Sequence, residues 1–407
     1  MIPKLDEYKK RVCISSDNEI KPGLAAIENA MKLLGSPQEN LQAIHVAGTN
    51  GKGSTICFME SILREAGIST GVFASPAMID IHDQIRINGE NITEEQLTTS
   101  FQILKDAGLD GMLTDFELLT AAAFVTFNRL QPDVVLIECG MGGMFDSTNV
   151  ITPMVSVIPS IAKDHIGFLG DSIKEIAWHK TGIFKKGVPA VCGKLPADAE
   201  KVAEKVATEV GSPLVFYGQG FCMKEGNPEQ FDGSQQLALP HRRMKGPHQA
   251  INAAVAIEAL LKTGLQLPIE AIQKGIATAQ LSFRFEEITP GVFFDGAHNP
   301  AAAAMLRRTI QEQLPGEKID FVIGMMANKE IKETLDELIP VANSFAFINF
   351  NVLGAATAEF VYDQCRFGNK KVTDAKDASI ILTKDLDRKK IVSGSLYLLN
   401  SLRSHIL

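Results

Sequence analysis

The sequence predicts an α/β protein of two domains, a larger N-terminal domain with a mostly parallel sheet and a smaller C-terminal α/β domain. Short apolar runs without a polar face alternate with helical patterns, which is typical of strands covered by helices on both sides. A glycine-rich turn follows the first clear run, and the alternation pauses near residue 280 before it resumes. At 407 residues, the chain is also too long for one ordinary core.

The N-terminal half contains the opening of a parallel sheet. Leu41–Val46 is a short apolar run, and Ser54–Ala66 carries apolar residues at helical spacing until Gly67 ends the helix. Further elements are predicted as the strands Thr70–Ala74, Val134–Glu138 and Val155–Ile158 and the helix Glu117–Arg129. The order strand, glycine turn, helix, strand predicts a phosphate-binding α/β domain.

The second half predicts an insertion, a linker and a further domain. The polar stretch 224–243 indicates an inserted hairpin or loop region, and a helix resumes at Pro247. Gln280–Pro290 is the best linker candidate, so we divide the chain near Arg284 into domains 1–283 and 284–407. The C-terminal domain is predicted from a helix that begins at Pro300 and from the strands Val292–Phe294, Ile319–Ile323, Phe345–Ile348 and Ile391–Val392.

Composition excludes several classes of function. Charged residues make up 22% and hydrophobic residues 45% of the chain, as in soluble globular proteins, and no apolar run is long enough to span a bilayer. The net charge of −8 disfavours a nucleic-acid surface. The start has no apolar signal segment, and the six cysteines form no CxxC pair, so neither a zinc site nor a disulfide framework is expected. We expect a cytoplasmic protein without membrane or nucleic-acid partners.

The glycine-rich turn has the sequence GTNGKGS and follows the strand directly. Its backbone N–H groups can wrap nucleotide phosphates while Lys52 neutralises their charge. It departs from the strict P-loop pattern at Val46 and Gly53, so an ordinary strand-to-helix turn with a surface lysine is the alternative. The candidate nucleotide-binding residues of the turn are Gly48, Thr49, Asn50, Gly51, Lys52, Gly53 and Ser54.

Three other polar features stand where predicted strands stop, namely Ser75-Pro76, Glu138 and Lys163-Asp164-His165. Because the carboxyl ends of parallel strands meet at one edge of a sheet, these side chains are expected near the turn. Ser54, Ser75 and Glu138 can supply oxygen ligands to Mg²⁺, and His165 suits a second metal or a phosphate. The alternatives are a strand-end carboxylate satisfied by backbone or solvent at Glu138 and a hydrogen-bonded loop histidine at His165.

Two further features complete the candidate site. Lys180 stands inside the helical stretch IAWHKTGIF, where a surface lysine is the alternative. Asp295, His298 and Asn299 follow the strand VFF on one turn before a helix, where an Asn-Pro turn with a helix cap is the alternative. The features together indicate an ATP-using transferase or ligase rather than a regulatory switch.

The motifs occur in an order that resembles one family. They are GTNGKGS, SP at 75–76, ECGMGGMFDSTNVI, DHIGFLGDSIKEIAWHKTGI, GPHQAINAAVA, DGAHNP and SGSLYL. From about residue 20 to the C-terminus, the chain is similar to the folylpolyglutamate synthase/dihydrofolate synthase family of the Mur-ligase superfamily. The resemblance implies a P-loop-containing N-terminal domain of the Mur-ligase central-domain type and a Rossmann-like C-terminal domain.

The resemblance also implies an activity and its residues. Such enzymes use ATP and Mg²⁺ to add L-glutamate to a folate through an acyl phosphate, so folate, glutamate and ATP are the expected small-molecule partners of a monomeric enzyme. The resemblance places Lys52 on the β- and γ-phosphates and implies that Lys180 is carbamylated. The metal ligands it implies are Ser75, Glu138 and His165, with Ser54 as a further ligand. It implies nucleotide contacts by Asn252, Arg284 and Asp295 and a catalytic position for His298 on the same turn as Asp295.

The departures from the family pattern concern the acceptor side. Ala77 and Met78 follow Ser75-Pro76 where the family has His-Leu, and His82-Asp83-Gln84-Ile85 stands where it has Asn-Glu-Arg-Ile. Met144 replaces an arginine, and Ser282-Phe283 replaces Pro-Gly or Pro-Ala. Three hypotheses therefore stay open: a folate enzyme, with or without dihydrofolate synthesis, a Mur-like ligase for another carboxylate, and a weakly active nucleotide-binding paralogue. The last is disfavoured because the ATP and metal positions are kept.

Overall fold

The computed structural model describes residues 2, 4–19, 21, 23–77, 79–164, 167–374, 378, 382 and 388–406. The chain forms two compact units. The first consists of residues 1–163, 169–242 and 251–279, and the second of residues 164–168, 243–250 and 280–407.

The first unit is organised around a sheet of eight described strands. They are β1 (Ala43–Val46), β2 (Thr70–Phe73), β3 (Ile85–Ile87), β4 (Glu90–Asn91), β5 (Val134–Glu138), β6 (Val155–Ile158), β7 (Ala190–Cys192) and β8 (Leu214–Phe216). Their order is β4-β3-β2-β5-β1-β6-β7-β8, and all neighbours are parallel except β2–β3 and β3–β4. The continuous apolar strands of the sequence thus occupy the centre of the sheet, as expected for strands buried on both faces.

Helices pack on both faces of this sheet. They are α1 (Leu5–Val12), α2 (Ala25–Leu33), α3 (Lys52–Glu65), α4 (Glu94–Asp106), α5 (Asp115–Leu130), α6 (Ile173–Thr181), α7 (Ala197–Val210), α8 (Pro247–Lys262, in this unit from residue 251) and α9 (Ile269–Thr278), with short 3₁₀ turns at Pro37–Asn40, Ile81–Gln84 and Ser147–Val150. Phe124 and Phe127 of α5 are fully buried in one core, and truncation of either ring to alanine would cost about 3–5 kcal/mol.

The α3 helix is held against the sheet from behind by α9. A Cβ on Gly275 would lie 2.5 Å from the Cα of Ile62, so only glycine permits this approach of the two helices. The α3 helix begins at the glycine turn, so its packing fixes the direction of that turn.

The predicted insertion is a small antiparallel sheet. Its strands β9 (Cys222–Lys224), β10 (Glu229–Asp232) and β11 (Gln236–Leu239) pair in the order β11-β10-β9. The buried carboxylate of Glu258 accepts hydrogen bonds from the backbone N–H and the hydroxyl of Ser234, at 3.0 and 2.6 Å. The prediction of an inserted hairpin region is confirmed, and α8 anchors it.

The second unit has a six-stranded sheet of its own. Its strands are β12 (Glu286–Thr289), β13 (Val292–Phe294), β14 (Ile319–Ile323), β15 (Ala342–Ile348), β16 (Lys370–Thr373) and β17 (Lys390–Ser393), and its helices α10 (Pro300–Gln313), α11 (Ile331–Leu338), α12 (Ala358–Gln364) and α13 (Leu396–Ile406), with a 3₁₀ turn at Ile339–Val341. The order is β12-β13-β17-β14-β15-β16, parallel except for β12.

The interpretation of Gln280–Pro290 as a linker was wrong in part. Glu286–Thr289 pairs with β13 as an antiparallel edge strand, which its polar sequence did not indicate. The α/β class with a mostly parallel N-terminal sheet and a smaller C-terminal sheet is confirmed. Within the described ranges, no helix combines the length and apolar character needed to cross a bilayer.

Candidate functional site

The glycine turn joins β1 to α3 at the centre of the first sheet. Gly51 precedes the helix with φ 87°, and Gly48 has φ 157°. A Cβ on Gly48 would lie 3.2 Å from both Pro159 Cδ and the carbonyl oxygen of Ser160. The turn is therefore built from glycine because its backbone lies against the segment that follows β6.

That segment supports one side of the turn. The backbone N–H of Thr49 donates to the Ser160 carbonyl at 2.9 Å, and the N–H of Asn50 donates to Ser160 Oγ at 3.0 Å. The hydroxyl of Thr49 donates to the Ala162 carbonyl and accepts from its N–H, both at 3.0 Å. Ser160 was missed from the sequence, although its place two residues beyond a buried strand is the signal that could have found it.

Two lysines converge on the turn. The Nζ of Lys52 donates to the carbonyl oxygen of Gly48 at 3.2 Å and lies 3.7 Å from Glu138 Oε1. The Nζ of Lys180 donates to the same carbonyl at 2.9 Å. Lys180 is 3% exposed, which excludes the alternative of a surface lysine. Two cations beside one carbonyl oxygen, with a carboxylate in reach, form a centre suited to anionic phosphate groups.

Glu138 ends β5 beside the start of the turn. It pairs with Val46 in the parallel register, and its neighbour Ile137 pairs with Phe73 of β2, two residues before Ser75. Glu138 is 5% exposed, so its carboxylate is not one that solvent satisfies. Ser54 is buried in the first turn of α3. These three candidate ligands therefore stand at the ends of adjacent elements along one edge of the sheet.

The oxygen donors suit Mg²⁺, which takes one or two carboxylates, hydroxyls, water and substrate phosphates rather than a full protein cage. Among the described residues, no cluster of three or more His, Cys, Asp or Glu side chains has a metal-binding arrangement. The predicted ligand His165 lies outside the described residues.

The loop after Glu138 is organised by Asp146. Its carboxylate accepts from the N–H of Met141 at 2.8 Å and from the N–H and hydroxyl of Thr148 at 3.0 and 2.5 Å. Burial raises the pKa of Asp146, and these hydrogen bonds oppose the rise. Thr148 in turn contacts Nε2 of the buried His45 at 2.8 Å. Burial lowers the pKa of His45 to about 3, so the imidazole is neutral beneath the turn.

Gly143 brings the same loop against the helix that carries Lys180. A Cβ there would lie 2.8 Å from the carbonyl oxygens of His179 and Lys180. The N–H of Met144 donates to the His179 carbonyl at 2.7 Å. The backbone at Met144, where the family pattern has arginine, is thus fixed against the helix that carries Lys180.

Asn252 belongs to the first unit and lies directly against the turn. A Cβ on Gly51 would be 2.5 Å from Asn252 Oδ1. Asn252 is itself buried within α8. The structure therefore brings this predicted nucleotide contact to the glycine turn, together with Lys52, Glu138 and Lys180.

The remaining candidates lie in the second unit, Arg284 just before β12 and the others on the turn after β13. Asp295 accepts from the N–H groups of Phe285 and Ala297, both at 3.0 Å. Burial raises the pKa of Asp295, whereas the nearby Arg284 guanidinium lowers it. Phe283 and Phe285, on either side of Arg284, both have positive φ, 63° and 49°. A strained backbone thus presents Arg284 beside Asp295.

His298 and Asn299 complete the same turn. His298 Nδ1 bonds the Gly296 carbonyl at 2.9 Å, and burial lowers the pKa of the imidazole. Asn299 caps α10 by accepting from the N–H of Ala302 at 2.9 Å, so the helix-cap reading holds for Asn299. Lys329 lies 2.6 Å from Asp164, which is 3.9 Å from His298 Nε2. Lys329 was missed because no local pattern connects it with Asp164.

Comparison with known proteins identifies the family. Residues 46–260 match the model of the Mur ligase middle domain, and residues 280–404 match that of the dihydrofolate synthetase C-terminal domain. The chain is 33% identical over 415 residues to the dihydrofolate synthase/folylpolyglutamate synthase of Bacillus subtilis, with 95% of each chain covered. The chain belongs to the folylpolyglutamate synthase/dihydrofolate synthase family. The expected family membership is confirmed.

Solved structures of this family superpose over nearly the whole chain. The Escherichia coli FolC complex with DHPP and ADP has a TM-score of 0.91 at 32% identity, covering 99% of this chain and 97% of that one. The Yersinia pestis bifunctional folylpolyglutamate synthase/dihydrofolate synthase complexed with AMPPNP and Mn ion has a TM-score of 0.89 at 29% identity, covering 99% of this chain and 98% of that one.

Proposed function

We infer that this protein is an ATP-dependent ligase that adds L-glutamate to a folate. The observation that carries the conclusion is the centre formed by Lys52, Glu138 and Lys180 around the Gly48 carbonyl, in a chain of which 95% matches a family member. The centre binds anionic phosphate groups, and the family supplies the reaction class.

The reaction needs phosphoryl transfer followed by amide formation. A folate carboxylate oxygen attacks the γ-phosphorus of ATP, the bond to the β-bridging oxygen breaks, and ADP leaves. The glutamate amino group then attacks the carbonyl carbon of the acyl phosphate, loses a proton to solvent and expels phosphate. Charge builds on the transferring oxygens in the first step, so a preorganised cation beside them accelerates it. We propose that Lys52 supplies this cation.

The proposed metal ligands are Ser54, Ser75, Glu138 and His165. Bound Mg²⁺ would screen the negative charge of the β- and γ-phosphates. Glu138 keeps its carboxylate at the turn through the strand register with Val46, and it faces Lys52. Carbamylation of Lys180 would replace a cation by an anionic oxygen ligand at this place.

The other residues predicted from the sequence belong to the same proposal. Gly48, Thr49, Asn50, Gly51 and Gly53 would hold phosphates through backbone N–H groups. Nucleotide contacts are proposed for Asn252, Arg284 and Asp295, and a catalytic position for His298. We further propose domains 1–283 and 284–407, and a monomer that works in the cytoplasm.

The acceptor is tested by a direct screen. ADP release is measured with glutamate and each of tetrahydrofolate, methylenetetrahydrofolate and dihydropteroate, and the product is identified by mass. We expect glutamylated product with at least one reduced folate. Product with dihydropteroate would establish the dihydrofolate synthase activity as well. ADP release without a glutamylated product from any of them would overturn the proposal and favour a different carboxylate acceptor.

A further inference from the structure

The first helix of the chain is bonded to the loop that follows β2. We call residues 74–84 the acceptor loop. Tyr8 Oη lies 2.5 Å from His82 Nε2, and His82 Nδ1 lies 2.7 Å from Asp80 Oδ1. Lys4 Nζ donates to the other oxygen of Asp80 at 2.8 Å. In the tautomer whose Nδ1–H donates to the Asp80 carboxylate, Nε2 accepts the hydrogen bond from the Tyr8 hydroxyl.

The contact is firmly held on the side of the helix. Tyr8 is 2% exposed, and its ring stacks on Phe101 with centroids 5.8 Å apart. The guanidinium of Arg11 lies 4.9 Å above the ring of Tyr8. Since the tyrosine cannot turn away without losing these contacts, its hydroxyl is a fixed point for His82.

The acceptor loop is closed by its own hydrogen bonds. Asp80 accepts from the N–H of His82 at 3.0 Å, and Asp83 accepts from the N–H of Ile79 at 2.6 Å. At its base, the N–H of Ala74 donates to the Gln84 carbonyl at 2.9 Å, and Gln84 Nε2 donates to the Ala74 carbonyl at 3.3 Å. A displacement at His82 is therefore transmitted to Ala74 and to its neighbour Ser75.

Gln84 adds an observation that points to a ligand. Its side chain is 2% exposed, and in the part of the chain that the structure describes its Oε1 is buried without a hydrogen-bond partner. Buried polar atoms normally have partners, so this unpaired oxygen can accept a hydrogen bond from a donor that enters the loop.

The position of the loop gives it a role in the reaction. Ser160 and Ala162, which follow β6, occupy one side of the glycine turn. On the other side lie β5 and then β2, from which the acceptor loop leaves. The acceptor loop therefore leaves the sheet on the side that Ser160 and Ala162 do not fill, and it contains Ser75, one of the proposed metal ligands.

We propose that Tyr8 and His82 form a latch that holds the acceptor loop in the position that receives the folate carboxylate. The inference rests on the proposed function and names two positioning residues for it. His82 stands where the family resemblance has asparagine, so the latch accompanies the altered sequence of this loop. An asparagine is too short to bond both Asp80 and Tyr8 as the imidazole does.

The test compares Tyr8→Phe, His82→Asn and the double variant with wild type in steady-state kinetics. Each single variant raises the KM for the preferred folate roughly fivefold or more and leaves the KM for ATP within about twofold, in keeping with the loss of one hydrogen bond to a partly buried group. The double variant is no worse than the worse single variant, because both substitutions break one contact. Tyr217→Phe is the matched control, since its hydroxyl bonds the Met223 backbone, at 3.3 Å. It leaves both constants unchanged.

Hydrogen exchange of peptides that span 74–86 tests the latch independently of the proposed function. Exchange in this loop becomes at least tenfold faster in Tyr8→Phe and His82→Asn and stays at the wild-type rate in Tyr217→Phe. Unchanged exchange, or a KM for ATP that rises as much as that for folate, overturns the latch. Wild type that makes no glutamylated folate overturns the proposed function instead, while the exchange rates still decide whether the latch exists.

Discussion

The Nζ atom of Lys180 donates a hydrogen bond to the carbonyl oxygen of Gly48 at 2.9 Å, which places a buried lysine of α6 against the glycine turn. The residues lie 132 positions apart in the chain. Lys52 donates to the same oxygen, so a change in the charge of either lysine changes the electrostatic environment of the other. Carbamylation of Lys180 would change the sign of the charge at this point.

Lys180→Ala should lower kcat by roughly 100-fold or more, because it removes a charged group from a buried phosphate centre. If the family's carbamate forms at Lys180, short carboxylic acids such as acetate should restore part of the activity by occupying the vacated space. Turnover is measured against acetate concentration. Lys174→Ala is the control, since Lys174 is exposed on the same helix. Absence of any rescue would make Lys180 a structural lysine.

Lys52→Ala should lower kcat by roughly 100- to 1000-fold, because Lys52 is the proposed cation for the transferring phosphoryl group. The variant should keep its fold, since Lys52 lies in the first turn of α3 and alanine favours helix. Initial rates of ADP release and far-ultraviolet circular dichroism check both statements. Near-normal turnover would remove this lysine from the mechanism.

Glu138→Gln should raise the Mg²⁺ concentration needed for half-maximal activity by about 10-fold or more, because the amide supplies only a neutral oxygen to the cation. The loss should be partly compensated at high Mg²⁺. The experiment is a magnesium titration at saturating ATP and folate. Glu60→Gln is a control on α3, where Glu60 is paired with Arg86 at 2.9 Å, away from the turn. An unchanged magnesium response would exclude ligation by Glu138.

Much of the fold was readable from the sequence, because strands buried on both faces leave continuous apolar runs. The bounds predicted for Val134–Glu138, Val155–Ile158 and Ile319–Ile323 agree with the structure. The strand Glu286–Thr289 was not predicted because an edge strand with exposed residues needs no apolar pattern. The pairing of Tyr8 with His82 was not predicted for another reason. It depends on tertiary packing between residues 74 positions apart, which no local sequence pattern indicates.

The buried His45 makes the stability of the first unit depend on pH. The folded state holds the pKa of His45 at about 3, well below its ordinary value of 6.5, because burial disfavours the imidazolium. The unfolded chain therefore binds a proton in a range in which the folded chain does not. Stability due to the neutral imidazole is complete above pH 6.5 and falls between pH 6.5 and 3, by about 1.4 kcal/mol per pH unit.

His45→Gln removes this titration and keeps a polar group within reach of Thr148. The variant should be less stable than wild type at pH 7, because a buried hydrogen bond and ring packing are impaired. The difference should shrink as the pH falls from 6.5 towards 4, by about 1.4 kcal/mol per pH unit. Urea unfolding of both proteins at pH 7, 6, 5 and 4 measures it. A difference that stays constant over this range would show that His45 takes up its proton equally in the folded and unfolded chains, contrary to its burial beneath the turn.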